Sequence, residues 1–367
     1  MAEALKAMYD REFLAGFGEK VGSAYPAFHT EGFVAKIMAD DWEGLELKAR
    51  IRRIATVLGD FLPAHYPAAL DVLFSIDEEC KGFPYLFFPD FVEVYGQDPQ
   101  YWELSMDALE RFTQRSSSEF AVRPFIMRDP QRMMNQMLIW SQHPNEHVRR
   151  LASEGCRPRL PWGQALAPFK KDPSPVLPIL EQLKEDPSLY VRKSVANNLN
   201  DIAKDHPDVV IRLAKAWLGN HPDTDWIVRH ACRTLIRKAE PEIMRLFGYS
   251  GSSEGNTLVQ SAVLAVEPKK ISIGDNSMVH YEICIREGTD ARLRIEYGIY
   301  FVKANGQTSR KLFLLSDKTV PGGSKLTGQR KHGWSDLTTR RHYPGEHRIV
   351  LVVNGEEVAE DSLWLRA

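Results

Sequence analysis

The segment 143–150, His-Pro-Asn-Glu-His-Val-Arg-Arg, restarts twice, as Asp-Pro-Ser-Leu-Tyr-Val-Arg-Lys at 186–193 and His-Pro-Asp-Thr-Asp-Trp-Ile-Val-Arg-His at 221–230. In each stretch an acidic or imidazole side chain precedes proline, and a short polar run leads through Val-Arg into an Ala/Leu-rich segment. The valines at 148, 191 and 228 are 43 and then 37 residues apart. This spacing is the period of HEAT-like helical repeats, which stack because one unit cannot bury its apolar face alone. The pattern therefore predicts an all-α HEAT-like repeat solenoid.

The first 249 residues read as helices almost throughout. Apolar residues recur at intervals of three and four, and Pro, Gly or Asp breaks separate the periodic runs. Segment 80–97 is aromatic-rich and interrupted by proline, and we interpret it as an apolar packing loop rather than a binding site. The periodicity predicts helices at 32–39, 46–60, 66–75, 104–114, 131–141, 147–155, 176–184, 190–203, 207–218 and 226–237.

The composition changes after Tyr249. Ser-Gly-Ser-Ser-Glu-Gly-Asn at 250–256 has the composition of a flexible linker. Beyond it, apolar and polar residues alternate with period two, and Asn305-Gly306 and Asn354-Gly355 are typical of hairpin turns. About 110 residues with about seven short strands suit a small all-β immunoglobulin-like sandwich. The predicted organisation is a repeat domain at 1–249, a linker at 250–256 and a β-sandwich domain at 257–367.

Composition argues against several classes of protein. The 367 residues are 43% hydrophobic and 26% charged, which is ordinary for a soluble protein. We expect neither a signal peptide nor a membrane span, since no apolar run approaches about 18 residues. Four scattered cysteines without metal-ligand spacing predict reduced thiols in a cytoplasmic protein. With no Walker-type loop and no HExxH motif, we expect no cofactor, no metal site and no membrane partner.

The net charge of −2 hides an asymmetry along the chain. Residues 1–127 carry a net charge of −9, residues 128–245 carry +5, and the remainder carries +2. Positive charge concentrated on the repeats favours a polyanion partner. On charge alone, an ordinary solvated repeat surface remains the alternative.

Alignment of the repeats on their valines predicts an acidic cluster. Positions i, i+4 and i+8 lie roughly along one stripe of a helix. That stripe contains Glu154 in the first repeat and Asp201 in the second, and an earlier segment offers Glu119 at the same spacing. We predict that these carboxylates converge within a basic border that includes Arg123, Arg150 and Lys193. Taken singly, such residues are also ordinary surface pairs worth a few tenths of a kcal/mol.

The loop after Glu154 combines two guanidiniums, a proline frame and an indole, as Arg157-Pro158-Arg159-Leu160-Pro161-Trp162-Gly163. Guanidiniums suit phosphates, and an indole can stack on a base or a sugar. The alternative is that Trp162 packs against the next repeat.

A second basic and aromatic cluster lies in the β region, at 329–343. Such a loop at the end of a sandwich suits contact with a DNA backbone or groove. The alternative is a solvated loop whose Trp334 and Tyr343 cap the sandwich core. The candidates for DNA contact are Arg330, Lys331, Trp334, Arg340 and Arg341.

Three separated segments resemble the AlkC branch of the bacterial AlkC/AlkD-like DNA glycosylases. They are Ser-Glu-Phe-Ala-Val-Arg-Pro at 118–124, Ser-Glu-Gly-Cys-Arg-Pro-Arg-Leu-Pro-Trp at 153–162 and Val-Arg-Lys-Ser-Val-Ala-Asn-Asn-Leu-Asn-Asp at 191–201. The resemblance covers about residues 5–250, and some members of that branch also carry a C-terminal immunoglobulin-like domain. It implies a HEAT-like repeat enzyme that excises N-alkylated bases, especially 3-methyladenine, from duplex DNA without flipping the nucleotide, unlike most glycosylases.

The resemblance also implies roles for the matched residues. Glu119, Glu154 and Asp201 would be the acidic residues at the lesion, Trp162 would lie beside the deoxyribose, and the phosphates would be near Arg150, Arg157 and Arg159. An N3-alkylated purine is already cationic, so no general acid is required, and a carboxylate would stabilise an oxocarbenium-like sugar or orient a water. Because no lysine candidate is apparent beside the carboxylates, we expect a monofunctional glycosylase.

The partner that these inferences predict is double-stranded DNA containing alkylated bases, with no obligate protein partner. The chain would act in the bacterial cytoplasm, at the nucleoid. A second class of function also fits the residues, namely a non-catalytic repeat scaffold that binds DNA or protein. Release of a methylated base from alkylated duplex would discriminate between the two.

Overall fold

The computed structural model describes residues 5–251, 257–338 and 340–367, which divide into two compact units between Ala231 and Cys232. Among these residues, no helix is long and apolar enough to cross a membrane. The α-helices of the first unit are α1 (Arg11–Ala24), α2 (Thr30–Ile37), α3 (Leu47–Phe61), α4 (Tyr66–Ile76), α5 (Phe87–Tyr95), α6 (Trp102–Thr113), α7 (Val122–Arg128), α8 (Pro130–Trp140), α9 (Glu146–Gly155), α10 (Ala167–Lys171), α11 (Leu177–Gln182), α12 (Leu189–Ile202), α13 (Pro207–Trp217) and α14 (Pro222–Ala231).

The helical repeat region is confirmed, with two corrections to the predicted helices. Segment 80–97 is not a loop throughout, because α5 occupies half of it. Pro89 lies in the first turn of α5, where a missing N–H is tolerated. The packing role is confirmed, since Phe87, Phe88 and Phe91 are buried. The second correction is that the helix predicted at 226–237 is divided at Cys232.

The repeated Val-Arg signature has a structural cause. In the first repeat, Arg149 Nη1 donates to two main-chain carbonyls of its own proline turn, at 3.0 and 2.7 Å. Its Nε and Nη2 donate to the carboxylate of Asp186, which begins the next repeat, at 2.6 and 3.1 Å. Arg192 makes a similar link, with its own turn's carbonyls at 2.8 Å and its Nη2 3.2 Å from Asp223 Oδ1. Each arginine thus ties one repeat to the next, and α9, α12 and α14 pack side by side.

The second unit contains α15 (Arg233–Arg237), α16 (Pro241–Leu246) and a β-sandwich. The strands are β1 (Val259–Glu267), β2 (Lys270–Ser272), β3 (Asn276–Ile285), β4 (Ala291–Val302), β5 (Thr308–Val320), β6 (Lys325–Gly333), β7 (Gly345–Val353) and β8 (Glu356–Arg366). One sheet has the order β1-β3-β6 and the other β2-β8-β7-β4-β5. Apolar residues of both sheets form one core, so the predicted all-β architecture is confirmed.

The turns follow the predicted chemistry. Asn354 and Gly355 adopt φ of +48° and +93° between paired Val353 and Glu356, as a two-residue hairpin turn requires. The predicted domain boundary at 249 stays a prediction, although α15 and α16 group with the strands. Most of the predicted linker, residues 252–256, lies outside the described residues.

Buried histidines lie in the sandwich core. The Nδ1 of His332 is 2.9 Å from the hydroxyl of Tyr297, and its ring meets those of Phe313 and Trp334 edge-on. Burial lowers the pKa of His332 to about 4, and Arg340, His342 and Lys311 act in the same direction. The core therefore favours the neutral imidazole.

We expect the sandwich to lose stability as the pH falls from about 6.5 towards about 4. A base whose folded pKa is depressed contributes stability above its unfolded pKa, and this contribution is lost as pH falls through the folded value. The shift of His332 corresponds to roughly 3 kcal/mol. His332→Asn should reduce the slope of unfolding free energy against pH in this window, measured by urea denaturation. An unchanged slope in the variant would assign the effect to other groups.

Candidate functional site

The three predicted acidic residues come from neighbouring elements of the first unit. Glu154 is in the last turn of α9, and Asp201 is at the end of α12, which packs against α9. Glu119 lies in the turn just before α7. Glu154 and Asp201 are buried, whereas Glu119 is partly exposed. The structure thus brings the three residues into one region, as the alignment of the repeats predicted.

Arginines lie between these carboxylates. Arg150 Nη1 is 2.6 Å from Glu119 Oε2, and its Nη2 is 3.7 Å from Glu154 Oε1. Arg157 Nη1 is 2.6 Å from the same Glu154 oxygen, and its Nη2 is 2.8 Å from Asp201 Oδ2. The far oxygen of Asp201 accepts from Lys204 Nζ at 2.8 Å. We call this alternating series, Glu119–Arg150–Glu154–Arg157–Asp201–Lys204, the charge row.

The charge row favours ionised side chains. Burial opposes the charge of Arg157, but the adjacent carboxylates of Glu154 and Asp201 outweigh it and raise its pKa. The pKa of Arg150 is raised in the same way, against burial, by Glu119 and Glu154. The region is therefore one of buried, paired charges rather than the acidic cluster with a basic border that the sequence predicts.

A pair of hydrogen-bonded serines holds the second carboxylate oxygen of Glu154. Ser194 Oγ donates to Glu154 Oε2 at 2.6 Å, and Ser153 Oγ lies 2.5 Å from Ser194 Oγ. Since Arg157 occupies the other oxygen, both carboxylate oxygens of Glu154 are held in place. A carboxylate fixed on both sides is preorganised to stabilise a developing positive charge.

The loop after α9 presents Trp162 to solvent. Trp162 has a φ of +62° and is 59% exposed, so most of its surface is open to solvent rather than packed against the next repeat. Lys48 Nζ donates to the main-chain oxygen of Trp162 at 3.0 Å. Arg159 is partly exposed and forms an ion pair with Asp205 at 2.7 Å. The exposed indole is thus available for contact with a ligand.

The basic candidates of this unit differ in accessibility. Lys193 is exposed and Arg150 is half-buried. Arg123 is only 1% exposed and donates to main-chain carbonyls, so the prediction that it contacts DNA is wrong for this structure. Its spacing from Glu119 gave no measure of depth, and Glu119 itself lies in a turn before the helix that carries Arg123. Arg157 is also buried, between Glu154 and Asp201.

In the sandwich, the structure separates the candidates into surface and core residues. Trp334 is fully buried, and its Nε1 donates to Ser277 Oγ at 2.9 Å, so it belongs to the core rather than to a DNA-contacting loop. Arg340 is half-buried, with its guanidinium 4.4 Å from the ring centre of Phe301. Arg330, Lys331 and Arg341 are exposed.

Sequence reasoning missed three polar residues of the site. Lys204 lies three residues after Asp201, a helical spacing that was visible in the sequence. The expectation of a monofunctional glycosylase assumed no lysine beside the carboxylates, and Lys204 removes that assumption. Ser194 contacts Glu154 from another helix, which no local pattern reveals. Tyr190 lies beneath Arg150, with its ring centre 4.8 Å from the guanidinium. Across the described ranges, no group of three or more His, Cys, Asp and Glu side chains could hold a metal ion.

Comparisons with known proteins cover both units. The family model of the DNA alkylation repair enzymes matches residues 115–235, and that of the C-terminal Ig-like domain of the uncharacterised protein YhaZ matches residues 260–367. The chain is 46% identical to the uncharacterised protein YhaZ of Bacillus subtilis over 359 residues, 98% of each chain. It also matches a solved structure of Pseudomonas fluorescens alkylpurine DNA glycosylase AlkC bound to DNA containing an abasic site analogue, with a TM-score of 0.93 and 38% identity over 99% of both chains.

The first of these matches spans every member of the charge row and the loop that carries Trp162. The match to AlkC extends over the repeats and the sandwich together. The chain therefore belongs to the DNA alkylation repair enzymes, on the branch that AlkC represents.

Proposed function

We propose that this protein is a DNA glycosylase that hydrolyses the N-glycosidic bond of N-alkylated purines, with 3-methyladenine in duplex DNA as its main substrate. The observation that carries the proposal is the charge row, which fixes Glu154 just before the loop that carries the exposed Trp162. It is supported by the likeness over the whole chain to an alkylpurine DNA glycosylase.

The chemistry requires little more than a placed negative charge. Alkylation at N3 makes the purine cationic, so the base leaves without protonation by a general acid. The sugar then carries a developing positive charge, which a preorganised carboxylate stabilises in a partly dry site. Glu154 is the carboxylate we assign to this role, and Glu119 or Asp201 would orient the attacking water.

We propose that excision proceeds without flipping the nucleotide. The resemblance to the AlkC branch implies this route, and Trp162 supports it because an exposed indole on a loop can meet the deoxyribose of a base that stays stacked. Arg150 and Arg159 would then lie near the phosphates, which would compete with Glu119 and Asp205 for the two guanidiniums.

The direct test uses the purified full-length protein and methylated duplex DNA. Glycosylase activity releases 3-methyladenine, seen by chromatography, and leaves abasic sites that alkali converts into strand breaks. A protein that binds the duplex without releasing any methylated base would instead be a repeat scaffold.

The same reaction decides whether the enzyme is monofunctional. Lys204 is the candidate for lyase chemistry, but its ammonium is paired with Asp201 at 2.8 Å. A lyase needs a neutral amine to attack the sugar. We therefore propose that the enzyme leaves the abasic strand intact, and borohydride should trap no covalent complex between the protein and abasic DNA.

The sandwich supplies a second DNA contact in this proposal. Arg330 and Lys331 are exposed on β6, an edge strand of the three-stranded sheet. The double variant Arg330→Glu/Lys331→Glu should weaken duplex binding and lower the salt dependence of log K by about 1.8, or about 0.9 for each lost phosphate contact. Fluorescence anisotropy over a range of salt concentrations measures both quantities.

The matched control reverses two exposed lysines of β5, in the other sheet, as Lys311→Glu/Lys318→Glu. It alters net charge equally, so an equal loss in both variants would show a general charge effect and would contradict a specific contact at β6.

A further inference from the structure

The Trp162 loop, residues 156–164, follows the end of α9 and carries the exposed indole of Trp162. Glu154 is the second-to-last residue of α9, so the path of the loop fixes where Trp162 stands relative to that carboxylate. The backbone of Trp162 has a φ of +62°, in the left-handed region that a bulky side chain seldom adopts. Such a conformation persists only where surrounding contacts determine it.

One buried side chain contacts both ends of the loop. Arg123 Nε donates to the main-chain oxygen of Gln164 at 2.6 Å, at the far end of the loop. Its Nη1 and Nη2 donate to the main-chain oxygens of Gly155 and Arg157, at 2.9 and 3.0 Å, at the near end. One guanidinium therefore joins both ends of the loop. It also donates a hydrogen bond to the main-chain carbonyl of the last residue of α9, which has no partner within the helix.

This arrangement is costly for the fold. The three acceptors are neutral carbonyls, and burial lowers the pKa of Arg123 to about 10, which still leaves it charged at neutral pH. A buried charge without a paired carboxylate disfavours the folded state. The end of α9 offsets part of this cost, because the C-terminus of a helix carries partial negative charge. The planar fork can reach three divergent carbonyls, which a lysine ammonium cannot match.

We propose that Arg123 is a positioning residue, which sets the Trp162 loop against Glu154 without touching the substrate. The proposal rests on the proposed glycosylase function for its kinetic consequences. Loss of the fork should free the loop and misplace Trp162, while Glu154 keeps its contacts with Arg150 and Ser194, which lie outside the loop.

One structural readout, one kinetic readout and one matched control test this inference. Arg123→Lys keeps the charge but not the fork. Arg50→Lys is the control, because Arg50 is also buried and donates to main-chain carbonyls of Lys6, Glu43 and Leu45, away from the loop. Trypsin should cut the Arg159–Leu160 bond about tenfold faster in Arg123→Lys than in the wild type or in Arg50→Lys, because cleavage follows the population of the opened loop. Equal cleavage in all three proteins would overturn the proposal.

The kinetic readout is a double-mutant cycle with Trp162→Ala, in single-turnover excision of 3-methyladenine. If Arg123 acts through the loop, Arg123→Lys should slow excision about tenfold alone but less than about threefold when Trp162 is already absent. Arg50→Lys should have the same small effect in both backgrounds. Additive effects of Arg123→Lys and Trp162→Ala would contradict a role through Trp162.

Two provisions keep the outcomes distinct. If Arg123→Lys does not fold, Arg123→Gln replaces it, since a neutral amide avoids the buried charge and retains a donor for one carbonyl. If the wild type releases no alkylated base, the proposed function fails, whereas trypsin cleavage still decides whether Arg123 holds the loop.

Discussion

Glu154→Gln should lower the single-turnover rate of 3-methyladenine release by about 10²- to 10³-fold, the usual effect of removing one preorganised electrostatic group. The amide keeps the size of the side chain and an oxygen for Arg157 or Ser194, so the contacts at 2.6 Å are partly preserved. What is lost is the negative charge that we propose stabilises the sugar. The affinity for DNA containing an abasic site analogue should change little, because the charge acts mainly in the transition state.

The matched control is Glu181→Gln. Glu181 is not a member of the charge row. It accepts a hydrogen bond from Trp217 Nε1 at 2.8 Å, and a glutamine can accept the same hydrogen bond. This variant should excise at the wild-type rate. Wild-type excision by Glu154→Gln would remove Glu154 from the mechanism, and a larger loss in Glu119→Gln would transfer the main role to that residue.

The repeats show how far sequence could lead. The Val-Arg signature predicted stacked helices because Arg149 and Arg192 link successive turns, and such links repeat with the fold. The alignment of the repeats placed Glu154 and Asp201 on neighbouring helices, because successive repeats stack their equivalent helices side by side. Helical spacing defines direction around an axis, however, and it gives no measure of depth. Arg123 therefore reads as a surface cation although it is buried, and the composition of the loop led to the same expectation for Arg157, which is also buried.

Other features depended on tertiary contacts that no local pattern contains. Arg157 stands between Glu154 and Asp201 because the chain turns directly after α9, which places a loop residue against α12. Ser194 reaches Glu154 only because α9 and α12 pack together. In the sandwich, Trp334 lies in a basic and aromatic segment whose composition suits a DNA-binding loop. Only the core shared by the two sheets shows that its side chain faces inward.

The ion pairs of Arg157 and Arg159 offer a comparison of buried and exposed charge within one loop. Arg157 pairs with Asp201, and Arg159 pairs with Asp205, four residues further on and beyond the end of α12. The first pair is buried, whereas Arg159 and Asp205 are 35% and 26% exposed in their side chains. The two aspartates therefore differ in their access to water, and Asp201 also has a second cation, Lys204.

Asp201→Asn should lower the free energy of unfolding by about 3 kcal/mol, because a buried guanidinium loses one of its two carboxylates. Asp205→Asn should cost less than about 1 kcal/mol, as for exposed ion pairs. Urea denaturation measures both, and excision measured alongside separates the fold from the chemistry. If Asp201 only holds Arg157, excision by the folded variant should stay within about threefold of wild type, whereas a water-orienting role predicts a loss of about 10²-fold or more. Equal stability losses in the two variants would contradict burial as the determinant.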